Sequence, residues 1–532
     1  MFIIAPSALL FLTSAGLVIL QKFRPRFNAI WLIAVMGVFL SWLTLIILRF
    51  QLPTSFIILT WEKTGLFASS PMLVIDYYSW PYAFAVGSLI FAIVLSSPVN
   101  LQTRSEINGL AGNLAITGIS YFAILSANPA TLLIGWAALD MIELIVLLRN
   151  NPESLVNQPI IIGFMSRFLG LLFIYSTFIM GGRSGELSTG FISLSSAMGL
   201  PVLLGIVLRL SPVPLHIQFN EPSLLRRSQG NILRFIPAAT SLVLLSRIPQ
   251  DTFKIVWVDA IRVMIIMAVL YSAIKWIKEE DELDSRPYWV FGISGLAILS
   301  TINGSPNSSV SWGVSLVLIG GMIFIHARVT SFIKGLLFAS LIFLSGFPYT
   351  PNAPGLSGLM GSPNLLNELI CLFLFLLMLL GLFIRIKNKQ KFPQDQERIN
   401  YLVYPMSILM LIITYIMIGL FGWPGSRTMG AWTAITLAVV LVAVFLLTRK
   451  WILLGLTFLG YRLTKIMIRF PLLKKYLGGV HPLAWVAMII ANLVRWMGFV
   501  VGWSSYIFEG RSGLLWSLVF LVLLLMALGN QV

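Results

Sequence analysis

From Phe2 almost to the last residue, apolar stretches long enough to cross a bilayer, about 17–25 residues each, follow one another along the chain. They run 2–20, 29–48, 76–96, 107–125, 130–148, 160–180, 191–210, 231–247, 253–277, 288–303, 310–327, 330–347, 365–386, 401–421, 429–448, 451–468, 483–503 and 513–529. About sixteen are expected to span; 231–247 and 288–303 are short, and 451–468 holds Arg462 and Lys465. Only 10% of residues are charged, against roughly 25% in a soluble domain, so the surface cannot be covered with polar groups. An all-α polytopic membrane protein follows, since no segment alternates as a membrane barrel strand does. The segment 2–20 lacks a basic leader and a small-residue cleavage site and is expected to stay as a span.

The connections are marked by Pro and Gly, as in "FRPRF", "SANPAT", "SPVPLH", "NGSPNSS", "GFPYTPNAPGLSG" and "GWPGS". They are too short to hold a large soluble catalytic domain. The two most polar, "KWIKEEDELDSR" (275–286) and "RIKNKQKFPQDQER" (385–398), are expected as solvated linkers. Thirty-six Lys and Arg against nineteen Asp and Glu make the chain basic. These cations punctuate apolar segments, as at the cytoplasmic ends of membrane helices, and do not gather on one face as in a nucleic-acid reader. Lys22, Arg24, Arg26, Arg226, Arg227, Lys275 and Lys278 fall on one side if every segment spans. This predicts an N-terminus facing outward from a cell inner (plasma) membrane, with the basic loops on the cytoplasmic side, where anionic lipid head groups are expected partners.

The informative residues are the few ionisable ones inside spans, where a charge costs at least about 2.5–3.5 kcal/mol and marks an ion path or a buried pair. Asp140 and Glu143 in "GWAALDMIELIVLL" lie one turn apart on one helix face. Arg209 in "LLGIVLRLSPVPLH" precedes Pro212, Pro214 and His216; prolines break a helix, and irregular backbone at membrane depth lines protein cavities. Lys334 in "TSFIKGLLF" and Glu368 in "LLNELICLF" complete the series. Each also has a plain reading: a structural pair for Asp140, snorkelling for Arg209 and Lys334, a loop position for His216, an interfacial one for Glu368. With three His and one Cys, Cys371, neither a disulfide framework nor a zinc or iron–sulfur ligand set is expected. No phosphate-binding glycine loop is present. The chain is therefore expected to hold no metal and no cofactor.

The order of motifs resembles the antiporter-like membrane subunits of respiratory complex I, membrane-bound hydrogenases and multisubunit cation/proton antiporters. "MLVIDYYSWPYAFAVGSLI" is similar to that family's third span and "LSANPATLLIGWAALDMIEL" to its fifth. "GIVLRLSPVPLHIQFNEP" is similar to G-x-x-x-K-x-P-x-x-P-L-H-x-W-L-P, with Arg209 at the lysine's position and His216 matching. "DSRPYWVFGISGLAIL" is similar to D-x-K-R-x-L-A-Y-S-S, Lys334 to the lysine of N-H-A-x-x-K-A-L-L-F, and "LIFLSGFPYTPNAPGLSG" to x-L-A-G-x-P-P-x-x-G-F.

The resemblance implies two inverted five-helix bundles, each with a broken helix, and a midplane relay of charged residues: Asp140, Glu143, Arg209, His216, Lys334 and Glu368. It implies N-terminal helices over 1–75, an antiporter-like core over 76–386, and a C-terminal extension over 387–532. It implies a proton- or cation-translocating subunit of a complex-I-like assembly, such as a NADH:quinone oxidoreductase-type complex. That subunit is itself non-catalytic and works beside other antiporter-like and hydrophilic subunits. The alternative is a diverged, non-pumping scaffold or coupling subunit. In the extension, Arg462, Lys465, Arg469, Lys474 and Lys475 read either as a basic interfacial helix or as a loop.

The departures from the family are specific. The fifth-span glutamate is Ala137, the eighth-span lysine falls near Ala239 or Thr240, and the histidine before Lys334 is Thr330. The seventh-span lysine is Arg209, which keeps its proton at any working pH. Asp140 lies three residues beyond Ala137, so a buried Asp140–Arg209 pair is expected, with Glu143 as the titrating alternative.

Overall fold

A computed structural model describes residues 2–23, 30–60, 70–97, 104–150, 157–183, 198–210, 227–254, 257–361, 364–391 and 398–422. All belong to the first of two compact units, Met1–Trp432. The last four expected segments and the basic stretch 462–475 lie outside the described residues, as do His216 and the prolines beside it.

The elements are α1 Ala5–Phe23, α2 Ile30–Arg49, β1 Thr54–Ile57, β2 Met72–Ile75, α3 Ser79–Leu95, α4 Arg104–Ile124, α5 Pro129–Asn150, α6 Asn157–Arg183, α7 Gly199–Leu210 and α8 Arg227–Arg247. They continue as α9 Val258–Lys278, α10 Arg286–Ile302, α11 Ser308–Phe324, β3 Arg328–Val329, α12 Ser331–Leu344, α13 Ala353–Leu359, α14 Leu365–Asn388, β4 Gln390–Lys391 and α15 Arg398–Met417. Among the described residues seven helices are long and apolar enough to cross a membrane: Phe2–Phe23, Ile30–Arg49, Glu106–Ile124, Pro129–Leu148, Val258–Lys278, Leu365–Asn388 and Val403–Gly422. Four apolar helices are shorter, and the expected count of about sixteen spans is not reached among the described residues.

The outer helices show how the sequence drives packing. On α1, Leu10, Ser14, Leu17 and Gln21 are buried; on α2, Ala34, Val38, Ser41, Leu45 and Leu48 are. Intervals of three and four put them on one helix face. The opposite faces are apolar too, with Leu12, Ile19, Leu32 and Met36 at least half exposed. Helices apolar all round suit a bilayer. By contrast α3, α8, α10 and α11 are buried along nearly their whole length. They form the centre, α8 packing on α4, α10 and α11, and α3 on α2, α11 and α15.

Among the described residues two short strand pairs tie loops together at the helix ends. β1 and β2 are antiparallel, with Thr54 opposite Ile75; β3 and β4 are parallel, with Arg328 opposite Gln390. Asp76 turns the chain into α3, its Oδ1 accepting from the N–H groups of Tyr78 and Ser79 at 3.1 and 2.7 Å. Its Oδ2 lies 3.4 Å from Arg247 at the end of α8, which also donates to the Ser126 carbonyl. The expected polar linker 275–286 is only partly solvated: Arg385 of α14 donates to the carbonyls of Trp276, Glu279, Glu280 and Asp281. It thereby caps the C-terminal end of α9, whose last carbonyls have no helical partner, and Ser285 and Arg286 are buried.

Candidate functional site

α5 brings Asp140 and Glu143, each 4% exposed, to the side of the helix that meets α6. Arg209, in the last turn of α7 and also 4% exposed, binds Asp140 bidentately, Nη1 to Oδ2 at 2.6 Å and Nη2 to Oδ1 at 3.1 Å. The pair expected from the sequence is therefore present. Glu143 is held by Arg167 of α6, Nη2 donating to Oε1 at 2.8 Å and Nη1 to Oε2. Arg167 Nη1 also stands 3.8 Å from Asp140 Oδ1. Two carboxylates and two guanidiniums thus alternate in one buried, neutral quartet. Planar forks matched to carboxylates make such burial tolerable, where a lone charge would not be.

Close helix crossings set this geometry. A Cβ on Gly170 of α6 would meet the Gly205 carbonyl oxygen of α7 at 2.6 Å, and one on Gly205 would meet the Gly170 oxygen at 2.8 Å. With glycine on both sides the backbones approach closely enough for Arg209 Nη1 to reach the Arg167 carbonyl at 3.4 Å. Trp136, one turn before Asp140, lies under the Arg209 guanidinium at 4.0 Å from ring centre to Cζ, a cation–π contact. Its indole N–H donates to the Thr240 carbonyl of α8 at 3.3 Å, and Arg209 Nε donates to Ser241 Oγ at 3.3 Å. On α8 the site is thus met by the Thr240 carbonyl, through Trp136, and by the Ser241 hydroxyl, on Arg209. Arg167 escaped the sequence reading, although an arginine inside the apolar segment 160–180 obeys the rule that picked out Asp140.

The structure does not bring Lys334 or Glu368 into this quartet. Lys334 is on α12, which packs on α11, α14 and α15, and its Nζ donates to the Lys387 carbonyl at 2.7 Å. That is a cation on the last turn of α14, where helix carbonyls favour it. Thr330 caps α12, Oγ1 accepting from Ile333 N at 3.2 Å. Glu368 lies in the first turn of α14, behind an Asn364 cap. It is thus near the other end of α14 from Lys387, about 28 Å away along the axis.

A second charged cluster, absent from the sequence reading, lies where α8 and α10 begin and α9, α11 and α14 end. Glu282 accepts from Arg227 at 2.5 Å and from Lys389 at 3.0 Å on each oxygen. Lys389, just past α14, also donates to the His326 carbonyl, and its burial holds the ammonium below its ordinary value despite Glu282. His326, in the loop after α11, is 2.7 Å from Ser407 Oγ and is pushed down to about 3, chiefly by burial, with Lys389 and Arg227 adding to it. Among the described residues no group of three or more His, Cys, Asp or Glu is placed to hold a metal.

No family model matches the sequence, and no curated protein matches it in a sequence comparison. Solved structures do match. One is a chain of the membrane-bound sulfane sulfur reductase, described as an archaeal respiratory membrane complex, with TM-score 0.60 and 13% identity over 77% of this chain and 75% of that one. Another is a chain of respiratory complex I from Thermus thermophilus, with TM-score 0.60 and 14% identity over 82% of this chain and 98% of that one. At such identities the likeness is one of fold. The chain is a membrane protein with the fold of subunits from these multisubunit respiratory complexes, in line with the antiporter-like resemblance of its motifs.

Proposed function

We propose that the chain is an antiporter-like subunit of a complex-I-like energy-converting assembly, carrying protons or cations while partner subunits supply the driving reaction. The observation that supports this reading is the quartet itself: four buried charges on α5, α6 and α7, arranged so that one proton has somewhere to go. Neutralising Glu143 does not strand Arg167, because Asp140 stands 3.8 Å from it. In this reading Glu143, held by Arg167, is the member that hands the proton on, and Asp140 with Arg209 is the fixed pair. The two inverted five-helix bundles, the outward N-terminus and the broader relay through His216, Lys334 and Glu368 belong to the same reading.

A scaffold or coupling role is the second reading, favoured by one observation: both cations of the quartet are guanidiniums, which do not release protons. The whole assembly, reconstituted in vesicles with a pH-sensitive dye, separates the two. Under the translocation reading Glu143→Gln lowers the proton gradient per turnover while the assembly stays intact. An unchanged gradient with both Glu143→Gln and Asp140→Asn establishes the scaffold reading instead. Orientation is read by labelling Glu280→Cys, an exposed position, in a Cys371→Ser background on intact cells; labelling by an impermeant reagent reverses the assignment.

A further inference from the structure

The first turn of α8 is positive, and its counter-charge, Glu282 on Arg227, comes from outside the helix and is shared with Lys389. Its N–H groups have no partners within the helix, that end carries the positive pole of the helix dipole, and the turn opens with Arg227 and holds no acidic residue. A second guanidinium is packed against it. Arg286, the first residue of α10, is 4% exposed, and a Cβ on Gly230 of α8 would collide with its Nη1. Arg286 lies 5.8 Å from the centre of the Phe324 ring, makes no ion pair among the described residues, and has its Nε buried without a partner.

The neighbouring carboxylates attract Arg286 only at a distance. Glu282 is engaged by Arg227 and Lys389, Asp281 accepts from Leu283 N at 2.9 Å, and Asp284 has interactions of its own. A buried guanidinium at a helix N-terminus is unfavourable both by desolvation and by sign. An oxyanion between the two reverses both effects, because a fork of N–H donors and a helix N-terminus each match phosphate oxygens.

We infer that the first turn of α8, Arg286 and Arg227 form a binding site for a phosphate-type oxyanion, supplied by the head group of an anionic phospholipid. The source follows from position: the Glu282 cluster ties the site to the ends of α9 and α14, both long enough to cross a bilayer, the level at which head groups lie. Arg227, 24% exposed in its side chain, leaves it reachable from outside. The site is independent of whether the quartet moves ions.

The test uses the full chain, delipidated and placed in nanodiscs of phosphatidylcholine alone or with phosphatidylglycerol, with a parallel arm in detergent containing inorganic phosphate. Phosphatidylglycerol raises the melting temperature of the wild type by several degrees, Arg286→Gln abolishes that rise, and Arg286→Lys keeps part of it. If phosphate in detergent gives the same Arg286-dependent rise, the oxyanion site stands and the lipid source is overturned. An equal rise in wild type and Arg286→Gln overturns the site, as does no rise in the wild type, which would assign Arg286 to an acidic side chain of a partner subunit. Where Arg286→Gln fails to fold, Arg227→Gln replaces it. Phosphatidylglycerol carried through purification, measured by mass analysis, is then several-fold lower than in the wild type; equal carry-through refutes the site.

Discussion

Removing one member of the Asp140–Arg209 pair is the sharpest perturbation the structure offers. Asp140→Asn leaves Arg209 and Arg167 with a single carboxylate, Glu143, and Arg209 with no anion in hydrogen-bond reach. Breaking a buried pair from one side costs about 3–5 kcal/mol, whereas replacing both partners by apolar groups of similar size is often close to neutral. Arg209 lies with its face on Trp136 and its edge on Asp140, so Arg209→Met keeps a side chain against the indole while discarding the charge. The double variant Asp140→Leu with Arg209→Met leaves Arg167 and Glu143 as a balanced pair. It is expected to be more stable than either single variant, with a coupling of about 2–3 kcal/mol. Glu143→Gln is expected to cost less than Asp140→Asn, because Arg167 has Asp140 within 3.8 Å as a second partner. Denaturant titration in mixed micelles measures all five, the single variant Asp140→Leu included. Additive single effects, or Glu143→Gln proving the more damaging, would refute the account of the quartet as two coupled pairs.

Other outcomes follow from the same geometry. Gly205→Val forces a side chain onto the Gly170 oxygen and Ile174, parts α6 from α7, and should cost about 1–3 kcal/mol or more, with loss of assembly on native gels. Lys334→Ala removes only a cation from the end of α14, so stability should fall by at most about 1 kcal/mol; a larger fall in the same titration would mean that Lys334 serves more than that helix end. His326, with an ordinary value of 6.5 and held at about 3 when folded, takes up a proton on unfolding. Below pH 6.5 the unfolded chain binds more protons than the folded one, so stability drops by about 1.4 kcal/mol per pH unit from this group. His326→Gln should flatten the melting temperature between pH 6.5 and 5, and an unchanged slope rules His326 out as its source.

The class of fold was legible because apolar length and period are written directly in the residues: Leu10, Leu17, Ala34 and Leu45 mark buried faces by spacing alone. The quartet was half legible. Asp140, Glu143 and Arg209 stand out as charges within apolar runs, and the distance from Ala137 to Asp140 was enough to suggest a pairing. Arg167 obeyed the same rule but belonged to no recognised motif. The Glu282 cluster was hidden for a different reason. Its members come from 227, 282, 326 and 389, and a run such as "KEEDELDSR" has the composition of a solvated linker until Arg385 and Lys389 arrive from α14 to cap and pair with it. Tertiary approach of helix ends is what one-dimensional patterns carry least.

The neutrality of the quartet has an electrical consequence. Two positive and two negative side chains held together contribute no net gating charge, so the membrane voltage does no work on them when they shift as a group. A single added proton changes that: the cluster then carries one elementary charge, worth about 2.3 kcal/mol per 100 mV across the full membrane thickness. Under the proposed reading, voltage sensitivity in this part of the protein therefore arrives with the carried proton and is absent from the neutral quartet.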